Sequence, residues 1–183
     1  MKNLSALLLL LLIGVSVSYK VVGNKESTPT HPKSERREIR ENRRAVRQAE
    51  SERLIDSIMI AKAFVFRPST IQREPAGSMI MLSNPNFEIR VWDGAADIFL
   101  PYISGAVPPY RHSIINYTLP MVSKYVAIQT ENGWQVTFNS NLFTASTYTF
   151  QFEINSKFGT TTLKLSNTWN NDVTYSGYIT QIY

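Results

Sequence analysis

From Phe64 to the end of the chain, apolar and polar residues alternate with a period of two. Phe87, Ile89 and Val91 alternate with Glu88, Arg90 and Trp92. Trp134, Val136 and Phe138 alternate with Gln135 and Thr137, and Tyr148, Phe150, Phe152 and Ile154 with Thr149, Gln151 and Glu153. Leu163 and Leu165 flank Lys164. Successive strand residues point to opposite faces, so each run buries one face and wets the other. Asn84-Pro85-Asn86, Asp93-Gly94, Asn132-Gly133, Phe158-Gly159 and Asn170-Asn171-Asp172 separate the runs. Asp-Gly and Asn-Gly are tight-hairpin signals because both turn positions tolerate positive φ. The pattern predicts a mainly β chain of about eight or nine short strands. Such strands form an antiparallel sheet closed into a barrel or folded into a sandwich.

The sheet is preceded by a segment of different character. The spacing predicts one long charged α-helix over 34–62, with Ser34 as N-cap and Glu35 and Glu38 at its positive end. Arg36, Arg40, Arg43 and Arg47 recur at intervals that place them in one basic stripe. Further on, Ile55, Ile58, Met59 and Lys62 share a face that is expected to dock on the β domain. Residues 63–183 then form that domain. The net charge of +5 belongs to the front of the chain: Tyr19–Arg53 holds ten Lys/Arg against six Asp/Glu, and Leu54–Tyr183 holds eight of each.

Residues 1–18 read as a secretory signal. Lys2 starts it, Ala6–Val15 is almost unbrokenly apolar, and Ser16 and Ser18 are small residues placed for cleavage near Ser18. The apolar run is too short for a membrane-spanning helix, which needs roughly 20 residues. Residues 19–33 read as a flexible tether. The chain has no cysteine, which excludes disulfides, thiolate metal sites, a cysteine nucleophile and a lipid on a cysteine after the signal. The expected address is the periplasm or the exterior, as a soluble protein.

Candidate sites are few. Phe99–His112 reads FLPYISGAVPPYRH. Pro101 is expected to end the strand that begins near Ile98. Tyr102, Tyr110, Arg111 and His112 then either form a plain loop rim or line a barrel mouth and contact a ligand or partner. His112 beside Ser113 does not make a catalytic pair, since neighbours on a strand point apart. With two histidines and no cysteine, no metal site is expected, and no cofactor is needed to explain folding. The arginine stripe is a solvated helix face, or a contact for an envelope protein or an anionic membrane surface. It lacks interleaved aromatics, so nucleic acid is not expected. Gly177, in an otherwise aromatic and β-branched strand, marks a bulge or a place where a neighbouring ring lies over bare backbone. Asp56-Ser57-Ile58 matches a short O-glycosylation acceptor motif only weakly. Tyr183 ends the chain on an aromatic residue, as outer-membrane barrels often do, but Gln181 and Gly177 would then face lipid.

A set of motifs carries a resemblance. It runs from the Arg/Glu-rich helix through Phe64-Val65-Phe66, Leu82-Ser83-Asn84, Phe87–Val91, Leu100-Pro101-Tyr102, Gly105 and Tyr110 to Gly133-Trp134 and Tyr175–Ile179. Over roughly Glu41–Ile179 the chain resembles domain-of-unknown-function family 4251, exported proteins typical of Bacteroidota. The resemblance implies a small lipocalin-like β-barrel and no assigned activity. Many similar proteins carry a lipid-anchored cysteine, which is missing here. The expected function is a non-enzymatic periplasmic binding or interaction module. The alternatives are a binder of a small apolar molecule inside the barrel and an enzyme of unrecognised type.

Overall fold

The computed structural model describes residues 32–105, 107–143, 146–169 and 171–182. The signal region, the Ser18 cleavage site and the tether as far as His31 lie outside them, as does Tyr183. The chain divides into two units at Glu38/Ile39, and the described part of the first is the opening of α1.

Helix α1 spans Pro32–Ala61. It starts two residues before the expected N-cap, so Ser34 sits inside the first turn. Proline suits the first helical position, where its missing N–H has no partner to lose and its φ is preset. At the other end Lys62 takes the left-handed conformation (φ 51°). Its N–H donates to Met59 O at 3.2 Å, and the N–H of Ala63 donates to Ile58 O at 3.4 Å. These are the two bonds of a Schellman cap, with lysine where glycine is usual. Within the second unit, Ile55, Ile58 and Met59 are buried while Leu54 is exposed. Ser51 Oγ donates to Ser156 O at 3.1 Å, and Trp134 Nε1 to Asp56 Oδ1 at 2.8 Å, so the last turns of α1 are tied to the sheet. No helix among the described residues is long and apolar enough to cross a membrane.

Ten strands follow: β1 (Phe64–Arg73), β2 (Ile80–Met81), β3 (Glu88–Trp92), β4 (Ala95–Ser104), β5 (Arg111–Leu119), β6 (Ser123–Thr130), β7 (Gly133–Phe143), β8 (Ser146–Asn155), β9 (Thr160–Asn167) and β10 (Val173–Gln181). Nine form one continuous antiparallel path, β5-β4-β3-β1-β10-β9-β8-β7-β6, and the two-residue β2 pairs with β1. The first and last strands meet in the middle of this path. The fold is a curled half-barrel whose edges are β5 and β6; these are consecutive in sequence but are not ladder partners among the described residues. Their connection is held by Val122 N donating to Gly94 O at 2.7 Å.

The inward positions carry the rings that the alternation selects. Phe64, Phe66, Phe138, Phe150 and Phe152 are fully buried. Phe152 sits edge-on to Phe64 and Phe66 at 5.5 and 5.6 Å, and Phe138 stacks on Phe150 at 4.8 Å. Each such side chain is worth about 1.5–3 kcal/mol of transfer free energy. They pack against one another inside the curl.

Three local expectations change. Pro101 does not end β4; it pairs with Ile114 of β5 in mid-strand. Beyond Phe99, the partner of Glu88, strand β3 has ended, so no neighbour asks Pro101 for an N–H. The β6–β7 hairpin turns on Glu131-Asn132, one residue before the expected Asn132-Gly133, because Thr130 pairs with Gly133. Gly133 (φ 150°) is required for another reason: a Cβ there would lie 2.0 Å from Ile154 O. The close approach at Gly177 is likewise to backbone rather than to a ring. Strand β1 bulges at Ser69, between Pro68 and Thr70, directly opposite Gly177 and Ser176.

Candidate functional site

The outward face of the sheet holds a row of uncommitted polar side chains. Register places Gln135 of β7 opposite Glu153 of β8, Glu153 opposite Thr162 of β9, and Thr162 opposite Ser176 of β10. Each alternates with a buried neighbour (Val136, Phe152, Leu163 and Tyr175), so core packing fixes which way the polar row points. Glu153, Thr162 and Ser176 are exposed and Gln135 half-buried. The row crosses three interstrand spacings, roughly 14 Å. It forms the floor of an open groove of about 640 Å³.

The ends of the groove are held by backbone devices. Ser69, the bulged residue of β1, donates its hydroxyl to Ser176 O at 3.0 Å and bounds one side. Thr130 and Asn132 of the β6–β7 hairpin bound the other. Asn155 closes the β8–β9 turn by accepting the N–H groups of Lys157 and Phe158 at 3.0 and 3.2 Å. The indole N–H of Trp134, also in the lining, is committed to Asp56. In contrast, Gln135, Glu153, Thr160 and Thr162 take no side-chain hydrogen bond or ion pair among the described residues. Glu153 is the one ionisable side chain of the described lining. Tyr178 (49% exposed) is opposite Thr160, and Phe158 (65% exposed) lies in the turn between Asn155 and Thr160.

The residues singled out from sequence lie elsewhere. Tyr102 points into the core, where its ring meets Tyr148 edge-on at 6.1 Å and its hydroxyl accepts from Asn167 Nδ2 at 3.2 Å. Tyr110 is half-buried against the same core, while Arg111 and His112 are exposed at the start of edge strand β5, opposite Ser104 and Ile103. Arg36, Arg40, Arg43 and Arg47 are all exposed on α1. Asp56, of the weak glycosylation motif, is engaged by Trp134, and Ser57 is exposed.

A second polar cluster is committed to structure. Arg73 is 5% exposed. Its guanidinium donates to the carbonyl oxygens of Glu74, Asp172 (2.9 Å) and Gly105 (3.3 Å) and to Asn171 Oδ1 (3.2 Å). It clamps the end of β1, the β9–β10 turn and the end of β4 together. Beside it, burial and the neighbouring Tyr148 push the Tyr102 hydroxyl far above its usual range, against the pull of Arg73. Burial pushes Tyr175 up as well, and Tyr125, at the β6 edge, up to about 12. Tyr125 packs under the Lys62 ammonium at 5.6 Å. Among the described residues no group of three acidic or histidine side chains could hold a metal ion.

The sequence motifs and the half-barrel agree with one family. A model of a domain of unknown function, DUF4251, matches residues 46–179. The chain belongs to the DUF4251 family. No curated protein matches it. Among solved structures, the crystal structure of a DUF4251 family protein from Bacteroides eggerthii is similar, with a TM-score of 0.56 and 15% identity. The similarity covers 73% of this chain and 91% of that one. At that identity the likeness speaks for the fold. The DUF4251 match spans both the groove and the Arg73 clamp, but starts after Arg36, Arg40 and Arg43.

The groove row was present in the sequence only as the polar half of each alternation. Gln135 and Glu153 looked like ordinary solvent-facing positions. What makes them neighbours is cross-strand register, which no single strand encodes.

Proposed function

We propose that the protein is an exported, non-enzymatic binding module that holds its ligand or partner on the outer face of the sheet rather than inside it. One observation carries this reading: the Gln135–Glu153–Thr162–Ser176 row lies along a groove with its hydrogen-bonding capacity unspent. The stacked phenylalanines support the choice of the outer face over the interior. The single carboxylate in the lining supports binding over hydrolysis, because acid–base hydrolysis of a glycosidic bond typically uses a pair of carboxyl groups. Export rests on the signal-like residues 1–18.

Native mass spectrometry of the protein purified from its own periplasm tests the proposal, with the Thr162→Arg/Ser176→Arg double variant alongside. The expected result is a companion mass on the wild type that the variant lacks. The same companion on both, or none on either, overturns the outer-face reading.

A further inference from the structure

Building on the outer-face reading, we infer that the groove takes a carbohydrate: a chain of neutral, polyhydroxylated rings laid across β7–β10. The lining selects against other ligand classes. Its described lining contains no lysine or arginine, and Lys164, one pair along on the same face, is engaged by Asp172 at 3.0 Å, so a phosphate or other anion would meet the carboxylate of Glu153 first. Its floor is hydroxyl, amide and carboxylate, so an apolar molecule would strip water from polar groups and return nothing to them. Strands β7, β8, β9 and β10 each have ladder partners on both sides, so their main chain has no free edge for an added peptide strand. Side chains alone remain to bind.

Those side chains match sugar hydroxyls. Glu153 offers two acceptor oxygens, Gln135 an acceptor and two donors, and Thr162, Thr160 and Ser176 hydroxyls that do both. They lie at the regular interstrand spacing, so consecutive rings of one chain can be met by consecutive strands. Sugar rings also have apolar C–H faces, and the exposed ring of Tyr178, opposite Thr160 of the lining and two residues beyond Ser176 on β10, offers a surface for such a face. Aromatic surface left bare beside uncommitted polar groups is the combination that this ligand needs and that a plain solvated sheet does not.

A glycan array carrying neutral and acidic oligosaccharides tests the inference. A second arm co-sediments the protein with purified peptidoglycan sacculi, separating free oligosaccharide from wall glycan as the source. The expected result is saturable retention of at least one neutral oligosaccharide or of the sacculi. Glu153→Gln, Thr162→Val and Tyr178→Ala should each weaken it about tenfold, with melting temperatures unchanged. Retention that these variants leave intact overturns the inference, as does wild-type protein that binds neither array nor sacculi. If no saccharide binds while the periplasmic companion is still lost in Thr162→Arg/Ser176→Arg, the ligand class fails and the outer-face module stands. If both fail, both readings fall.

Discussion

The hydroxyl of Tyr175 donates to the carbonyl oxygen of Pro101 at 2.6 Å, joining β10 to β4 across the interior of the half-barrel. Two strands, β1 and β3, lie between them in the sheet. The N and O of one strand residue face the same side, so the bond also shows where the proline's missing donor points: past the end of β3, where no acceptor waits. A fully buried phenol thereby satisfies a carbonyl that the sheet has left without a neighbour.

Tyr175→Phe should therefore cost more than a surface hydroxyl would. The ring still fills its space, but a half-buried carbonyl loses its donor, a loss of about 1–3 kcal/mol. Urea denaturation should show a lower midpoint with an unchanged slope. A midpoint equal to wild type would mean that water reaches Pro101.

Alkaline pH should unfold the protein through its buried phenols. Tyr102, Tyr125 and Tyr175 have folded-state pKa values raised above the unfolded 10.0. For a raised pKa, the stabilisation is complete below the unfolded value and is lost as pH climbs towards the folded one. Stability should thus be flat up to about pH 10 on account of these groups and fall beyond it. Ultraviolet titration should show a late ionisation step from Tyr125, towards 12. Removing Tyr125 as Tyr125→Phe should erase that late step.

Gly177→Ala should be among the most damaging single-methyl additions in the chain. The new Cβ would sit 2.1 Å from the carbonyl oxygen of Arg67, and that atom is main chain in a paired strand. Either β1 or β10 has to move at the bulge, which costs about 1–3 kcal/mol. Thermal melting reads this directly, and because Ser176 is the neighbouring residue, groove binding should weaken in parallel.

These cases show what could be read from the sequence and what could not. Alternation gave the inward face of β3, β7, β8 and β9 correctly, because burying Phe138, Phe150, Phe152 and Leu163 leaves each strand one choice. The pairing of β1 with β10 was not legible, since it joins the two ends of the domain and has no local signal. Pro101 was misread because a proline's effect on a strand depends on which neighbour its nitrogen faces, a property of the sheet and not of the tripeptide. Strand β2 is two residues long and too short to alternate. The groove row failed to appear for the same reason as the β1–β10 pairing: its members are 9 to 41 positions apart in sequence and meet only through register.

The arginine stripe predicts an absence of effect on the fold. Arg36, Arg40, Arg43 and Arg47 are exposed, and the bond that their side chains make among the described residues is local, Arg47 Nε to Arg43 O at 3.2 Å. Replacing all four by Gln should leave denaturation within about 0.5 kcal/mol of wild type per site, since glutamine keeps a helix-forming stem. A larger loss would reveal a packing role for the stems.

The Trp134–Asp56 bond sets how firmly α1 is held. The indole N–H is half-buried and its acceptor is a carboxylate, so the bond belongs to the stronger, charge-assisted kind. Asp56→Ala strands the N–H and should cost about 1–3 kcal/mol, whereas Asp56→Asn keeps an acceptor oxygen and should cost less. Because Ile55, Ile58 and Met59 bury against the sheet on the same turns, the loss should be local before it is global. Hydrogen exchange should quicken over 55–61 in the alanine variant while the amides of β7–β9 stay protected. Equal protection of those helix amides in both variants and wild type would show that packing alone docks the helix and that the bond is incidental.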